Sequence, residues 1–126
     1  MRLSRAQLGK ICGIGHDTSM RGAGASLRDA INVTDYRRLR PLVTETAVSE
    51  YLANHPEGVT QWSRYCEDKR TSEGWGFSKG GDSWTVWRLS PPHFQRSDQQ
   101  IFPSEIAACA RYILLELDFW ANLPSG

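Results

Sequence analysis

The sequence lacks the cysteine and histidine spacings that hold metal ions or build a disulfide framework. Its cysteines, Cys12, Cys66 and Cys109, are three in number and far apart, and no CxxC pair is present. The histidines show no recognised metal-ligand spacing either. We therefore expect neither a metal ion nor a cofactor, and unpaired thiols favour a cytoplasmic location.

Long apolar runs and an excess of one charge are also missing. No run reaches the ~20 residues of a membrane-spanning helix, and residues 1–20 lack the apolar centre of a secretion signal. Fifteen basic and 14 acidic side chains give a formal net charge of +1. Such a balance exerts no net attraction on nucleic acid or on an anionic membrane, so neither is an expected partner.

Motifs that carry catalysis are equally scarce. A GxSxG serine motif is absent, and Gly13-Ile14-Gly15 is followed by Thr18 where a dinucleotide-binding motif needs its third glycine. We assign no catalytic residue, and a protein without enzymatic activity is the favoured interpretation.

The first residues differ in composition from the rest. Residues 1–25 contain five glycines among scattered basic side chains, and glycine disfavours regular structure. We interpret residues 1–25 as a flexible N-terminal arm and residues 26–126 as a single α+β domain. One short helical turn or strand within the arm, and a start of the native product at Met20, are open alternatives.

The stretch from Ser104 to Leu123 carries the strongest helix signal. Ser104 supplies an N-cap hydroxyl, and Glu105 suits the first turn of a helix. Apolar side chains recur at helical spacing along two adjacent lines, so several neighbours must cover this helix. Five side chains are expected to face water instead: Glu105, Arg111, Glu116, Asp118 and Asn122.

Shorter elements precede this helix. Capping and proline signals predict short helices after Ser26, over 34–39, after Thr44 or Thr46, and from Pro56 to about Asp68. Two aromatic-rich stretches around Lys79-Gly80-Gly81-Asp82 predict a β-hairpin. Residues 93–100 are expected to form a polar loop, with a third short strand at Ile101-Phe102. The fold class is therefore α+β: several short helices, a hairpin or small antiparallel sheet, and a long C-terminal core helix.

The aromatic hairpin and the charged segment before it are the candidate binding residues. Rigid aromatic area combined with cations is typical of protein interfaces. The charged segment could equally be a solvated helix end, and the rings could equally be core. The predicted set is Trp75, Phe77, Trp84, Trp87 and Arg88 on the hairpin, with Glu67, Arg70 and Glu73 beside it.

The segment YCEDKRTSEGW, from Tyr65 to Trp75, with His55-Pro56-Glu57 upstream, resembles a small bacterial domain family without an assigned activity. Such small accessory proteins resemble toxin-immunity or mobile-cassette products. The resemblance extends over this part of the chain only, and it implies no catalytic residue. What it implies is a compact bacterial accessory protein.

Two functions follow as the main hypotheses, and nucleic-acid binding by the basic N-terminal arm and the aromatic residues ranks third behind them. The first is a protein-binding accessory module without enzymatic activity, either a homodimer or an inhibitor of the immunity type, that uses the hairpin and the charged corner. The alternative is a small-molecule-binding protein or small enzyme with an aromatic pocket between the hairpin and the C-terminal helix.

Overall fold

A computed structural model describes residues 3–14, 27–68, 74–90 and 95–122, apart from the side chains of residues 27, 28, 67, 68 and 90. Its elements within these ranges are α1 (Arg5–Cys12), α2 (Leu27–Val33), α3 (Tyr36–Leu39), a 3-10 helix (Arg40–Leu42), α4 (Glu45–Asn54), α5 (Glu57–Asp68), β1 (Gly74–Gly80), β2 (Ser83–Ser90), β3 (Gln95–Phe102) and α6 (Glu105–Ala121). The fold class is α+β, as the sequence predicts.

Helix α6 is the centre of the fold. Ser104 caps it by accepting a hydrogen bond from the Ala107 N–H at 3.3 Å, which satisfies one of the donors at the helix start. The helix contacts α2, α4, α5 and all three strands. Eight of its side chains are buried, so the prediction of a long C-terminal core helix is confirmed.

The strands form one antiparallel sheet in the order β1-β2-β3. The β1–β2 hairpin turns at Gly81, whose φ of 66° is a conformation that favours glycine. Phe77 and Val86 point from the sheet into the core, toward α6. Alternation along the strands places Trp87 and Leu89 on the opposite face.

Strand β3 is longer than the sequence predicts. It begins at Gln95, so residues 95–100 are strand and not the expected polar loop. Its first five residues are all exposed, so the sequence shows no alternation of apolar and polar residues that would indicate a strand. Pairing with β2 holds this edge strand in place instead. A register shift against β2 falls beside Asp98, whose φ is 51°, and such bulges discourage pairing of an edge with another chain.

The N-terminal segment also differs from the interpretation as a flexible arm, at least over residues 3–14. Ser4 and Gln7 form a capping box at the start of α1, and Ile11 and Ile14 are fully buried. The Trp62 indole N–H donates to the Cys12 carbonyl oxygen at 2.7 Å. This segment thus packs against the core through Ile11, Cys12 and Ile14, whereas residues 15–26 lie outside the described part.

Candidate functional site

The predicted charged corner lies mostly outside the described residues. Arg70 and Glu73 fall in the gap between α5 and β1, and of Glu67 only the backbone is described, within α5. The candidate site is therefore defined by the hairpin residues.

The hairpin aromatics divide into buried and half-buried rings. Phe77 is 5% exposed and packs on Tyr112 of α6, with ring centroids 4.8 Å apart. Trp87 is 6% exposed. Trp75, Trp84 and Arg88 are half-buried. Phe77 and Trp87 therefore pack inside the protein. Of the predicted hairpin residues, Trp75, Trp84 and Arg88 are the ones with solvent-exposed surface that a partner could contact.

Trp75 and Arg88 meet in a groove between the hairpin and α6. The antiparallel register places them directly opposite each other on β1 and β2, where cross-strand side chains touch. One face of α6 supplies the other wall, because its residues recur at helical spacing. The groove has a volume of about 410 Å³ and is open to solvent, and its lining is Trp75, Arg88, Leu115, Asp118, Phe119 and Asn122.

The Arg88 guanidinium lies between two aromatic rings. Its central carbon is 4.2 Å from the centroid of the Phe119 ring and 5.8 Å from that of the Trp75 ring. Cation–π contacts of this kind fix the plane of a guanidinium. No described residue forms an ion pair or hydrogen bond with Arg88. The side chain is therefore held in position while its N–H edge can still bind an acceptor.

Asp118 lines the same groove, but its carboxylate already has partners. Its Oδ1 atom accepts from the Tyr36 hydroxyl at 2.7 Å and from Nε of Arg40 at 2.8 Å. Burial, reinforced by this hydrogen bond, raises the pKa of Tyr36. Arg40 also donates to the Val43 carbonyl oxygen at 2.8 Å. Asp118 thus joins Tyr36 and Arg40 to α6. Its carboxylate is paired with Arg40, so it does not neutralise Arg88, the cation in the lining of the groove.

Beneath the groove, Glu116 is fully buried and is the one charged residue in the core of the described part. Its Oε1 accepts from the Trp75 backbone N–H, and its Oε2 accepts from the Tyr65 hydroxyl, both at 2.9 Å. Burial raises the pKa of Tyr65, and the neighbouring carboxylate adds to this effect. The carboxylate therefore joins α5, α6 and β1, and it fixes the backbone from which Trp75 projects.

The expectation that Glu116 faces water was wrong. A signal was present in the sequence, because Glu116 follows Cys109, Tyr112 and Ile113 on one apolar face at spacings of seven, four and three residues. A carboxylate in line with such residues must be buried with donors around it. Tyr112 beside it is fully buried, and its hydroxyl has no hydrogen-bond partner.

None of the cysteines in the described part forms a disulfide bond, and two of them are buried. Burial raises the pKa of Cys12 to about 12 and raises that of Cys109 as well. Cys66 is half-buried, and its thiol donates to the Phe77 carbonyl oxygen at 3.7 Å. No group of histidine, cysteine and carboxylate side chains among the described residues could hold a metal ion.

These environments predict different thiol reactivities. In the folded protein at pH 8, a disulfide reagent such as Ellman's should modify Cys66 first, while Cys12 and Cys109 stay protonated and covered. Unfolding in urea should release all three thiols. Mass spectrometry of the modified peptides checks the order, and a Cys12 that reacts as fast as Cys66 would contradict the described burial.

Comparison of the chain with protein-family models, with curated proteins and with solved structures gave no match. Within the described residues, none of the helices has the length and apolar character needed to cross a membrane.

Proposed function

We propose that this protein is a binding module without enzymatic activity, and that its groove receives a carboxylate-bearing segment of a partner protein. The observation that carries this proposal is the Arg88 guanidinium, stacked on Phe119 at 4.2 Å and facing an open groove with no acidic partner among the described residues. Tryptophan and arginine are the residues on which protein interfaces most depend.

The shape and charge of the groove support a protein segment as its occupant. A groove this open on one side suits an extended chain that lies across it. Arginine binds a carboxylate through two parallel N–H donors, and stacking has already fixed the plane of those donors. A partner with an acidic side chain next to an apolar one would satisfy both the cation and the rings.

The resemblance of the segment around Tyr65–Trp75 to small bacterial accessory proteins supports an inhibitor of the immunity type as the specific form of this proposal. An inhibitor of the immunity type acts by covering a surface of its target, which needs a binding face and no catalytic group. Cysteines that are not joined in disulfide bonds agree with a reducing cytoplasm. A homodimer is the competing form of the same hypothesis, and a mass measurement separates the two.

The test uses a defined peptide in place of the partner. An eight-residue peptide of alternating glutamate and leucine is titrated against the protein, followed by the Trp75 indole and Arg88 Nε–H signals in NMR spectra. The peptide with glutamine at every glutamate position is the matched ligand. We expect the acidic peptide to bind about tenfold more tightly, equivalent to ~1.4 kcal/mol.

Variants assign the effect to the groove. Arg88→Gln should remove the preference for the acidic peptide, whereas Arg64→Gln changes an exposed arginine outside the groove and should preserve it. Equal binding of the two peptides, or an unchanged preference in Arg88→Gln, would refute the proposal. A twofold chain mass in sedimentation equilibrium that Arg88→Gln abolishes would instead assign the groove to a second copy.

A further inference from the structure

A second cavity lies between helices α1 and α4, and it shares no residue with the groove. Its volume is about 670 Å³, and it is open to solvent. Cavities of roughly 300–1,000 Å³ are typical of small-molecule sites. The lining consists of Arg5, Ala6, Leu8, Gly9, Ala47, Glu50, Tyr51, Asn54 and His55.

The spacing of residues on the two helices explains how the cavity forms. On α1, Arg5, Leu8 and Gly9 share a face, and on α4 Tyr51 lies one turn from Ala47 and from His55. Gly9 lies directly against Tyr51, since a Cβ atom there would be 3.6 Å from the Tyr51 hydroxyl oxygen. The lack of a side chain at this position keeps the space in front of the ring open.

Opposite charges line the cavity without pairing. Arg5 and Glu50 are both exposed, and neither forms an ion pair or a side-chain hydrogen bond with any residue that the structure describes. The Asn54 side-chain amide group donates to the Glu50 backbone carbonyl oxygen at 3.0 Å, so its own carbonyl oxygen is available as an acceptor. A cation and a carboxylate therefore share one cavity and are not neutralised by each other.

An aromatic wall completes the site. The Tyr51 and His55 rings are stacked, with centroids 4.2 Å apart and planes 24° from parallel. The two stacked rings form an aromatic side of the cavity on which an apolar group can pack. Burial raises the pKa of Tyr51, so its hydroxyl keeps its proton at neutral pH and can donate to a ligand. His55 is also near Glu57, with 3.6 Å between Nδ1 and Oε1.

We propose that this cavity binds a small zwitterion of the α-amino acid class. Its carboxylate would pair with Arg5, its ammonium group would pair with Glu50 and the Asn54 carbonyl oxygen, and its side chain would lie on the Tyr51 ring. A ligand with both charges is favoured because it can pair with both Arg5 and Glu50, whereas a singly charged ligand can pair with only one of them. This inference is independent of the groove.

The experiment uses L-phenylalanine and two analogues that each lack one charge. Phenethylamine lacks the carboxylate and 3-phenylpropanoate lacks the ammonium group. Binding is followed by NMR signals of Gly9 and Tyr51 at low ionic strength, where exposed charges are least screened. We expect millimolar binding of L-phenylalanine, about threefold to fivefold tighter than that of either analogue.

Single-charge variants give the sharper result. Arg5→Gln should bind L-phenylalanine no more tightly than phenethylamine, and Glu50→Gln no more tightly than 3-phenylpropanoate. Lys10→Gln alters an exposed cation of α1 outside the cavity and should change nothing. Equal affinities for the three compounds, or no binding of L-phenylalanine up to about 20 mM, would overturn the proposal.

Discussion

Glu116→Ala is expected to lower the free energy of unfolding by about 2–5 kcal/mol. The Tyr65 hydroxyl and the Trp75 backbone N–H would lose the carboxylate oxygens that accept from them at 2.9 Å. Glu116 is fully buried, so water cannot simply take the place of these acceptors, and the missing side chain also leaves a cavity. Urea unfolding followed by circular dichroism measures the loss.

Two further variants locate the effect. Glu116→Gln retains one carbonyl oxygen and should cost less than alanine, and Tyr65→Phe removes the second donor while its ring stays in place. A double-mutant cycle of these two substitutions should give a coupling energy of about 0.5–2 kcal/mol. If Glu116→Leu proves as stable as the natural protein, the carboxylate does not hold the three elements together.

Glu116→Gln is also expected to affect ligand binding in the groove. Because Glu116 fixes the backbone of Trp75, Glu116→Gln should weaken binding of the acidic peptide even where the protein remains folded. Arg88 would be unchanged in charge but would lose part of its aromatic support. A folded Glu116→Gln variant with full peptide affinity would separate the buried carboxylate from the function of the groove.

Local signals in the sequence were sufficient for most helices and for the hairpin. Thr44 caps α4 by accepting from the Ala47 N–H at 3.0 Å, and α5 follows Pro56. The β1–β2 turn falls within the predicted Lys79–Asp82 segment. Capping and turn formation depend on residues within one turn of each other, which is why a single sequence reveals them.

Elements held by distant contacts were predicted only in part. Strand β3 is polar and exposed, and only its ladder with β2 makes it a strand. Helix α1 contains an internal glycine, and Ile11 of this helix and Ile14 just after it are buried in a core shared with residues far along the chain. Neither signal is local, and tertiary contacts override propensity in such cases.

The candidate site was predicted in part. Trp75 and Arg88 were in the predicted set, but the ring that stacks most closely on Arg88 belongs to Phe119 of α6, which was not in that set. Only the docking of the hairpin on α6 brings these residues together. Glu116 was assigned to solvent for the same reason, since its donors lie 51 and 41 residues away.

Gly76→Ala is expected to destabilise the protein by about 1–3 kcal/mol, although it adds a single methyl group. A Cβ atom at this position would lie 2.9 Å from three atoms of the Trp87 ring, closer than van der Waals contact allows. The register places Gly76 directly opposite Trp87. The ring cannot easily move away, because the Arg96 guanidinium lies over it at 3.9 Å and only 6% of the residue is exposed.

Gly80→Ala provides the matched control on the same strand, since a Cβ atom there would meet nothing within 4 Å. We expect it to change the free energy of unfolding by less than about 0.5 kcal/mol. Combining Gly76→Ala with Trp87→Leu should recover part of the loss, because the smaller side chain leaves room for the methyl group. If the two alanine variants proved equally stable, Trp87 would be free to leave Gly76. Trp87 would then regain a place in the binding surface that its present packing denies it.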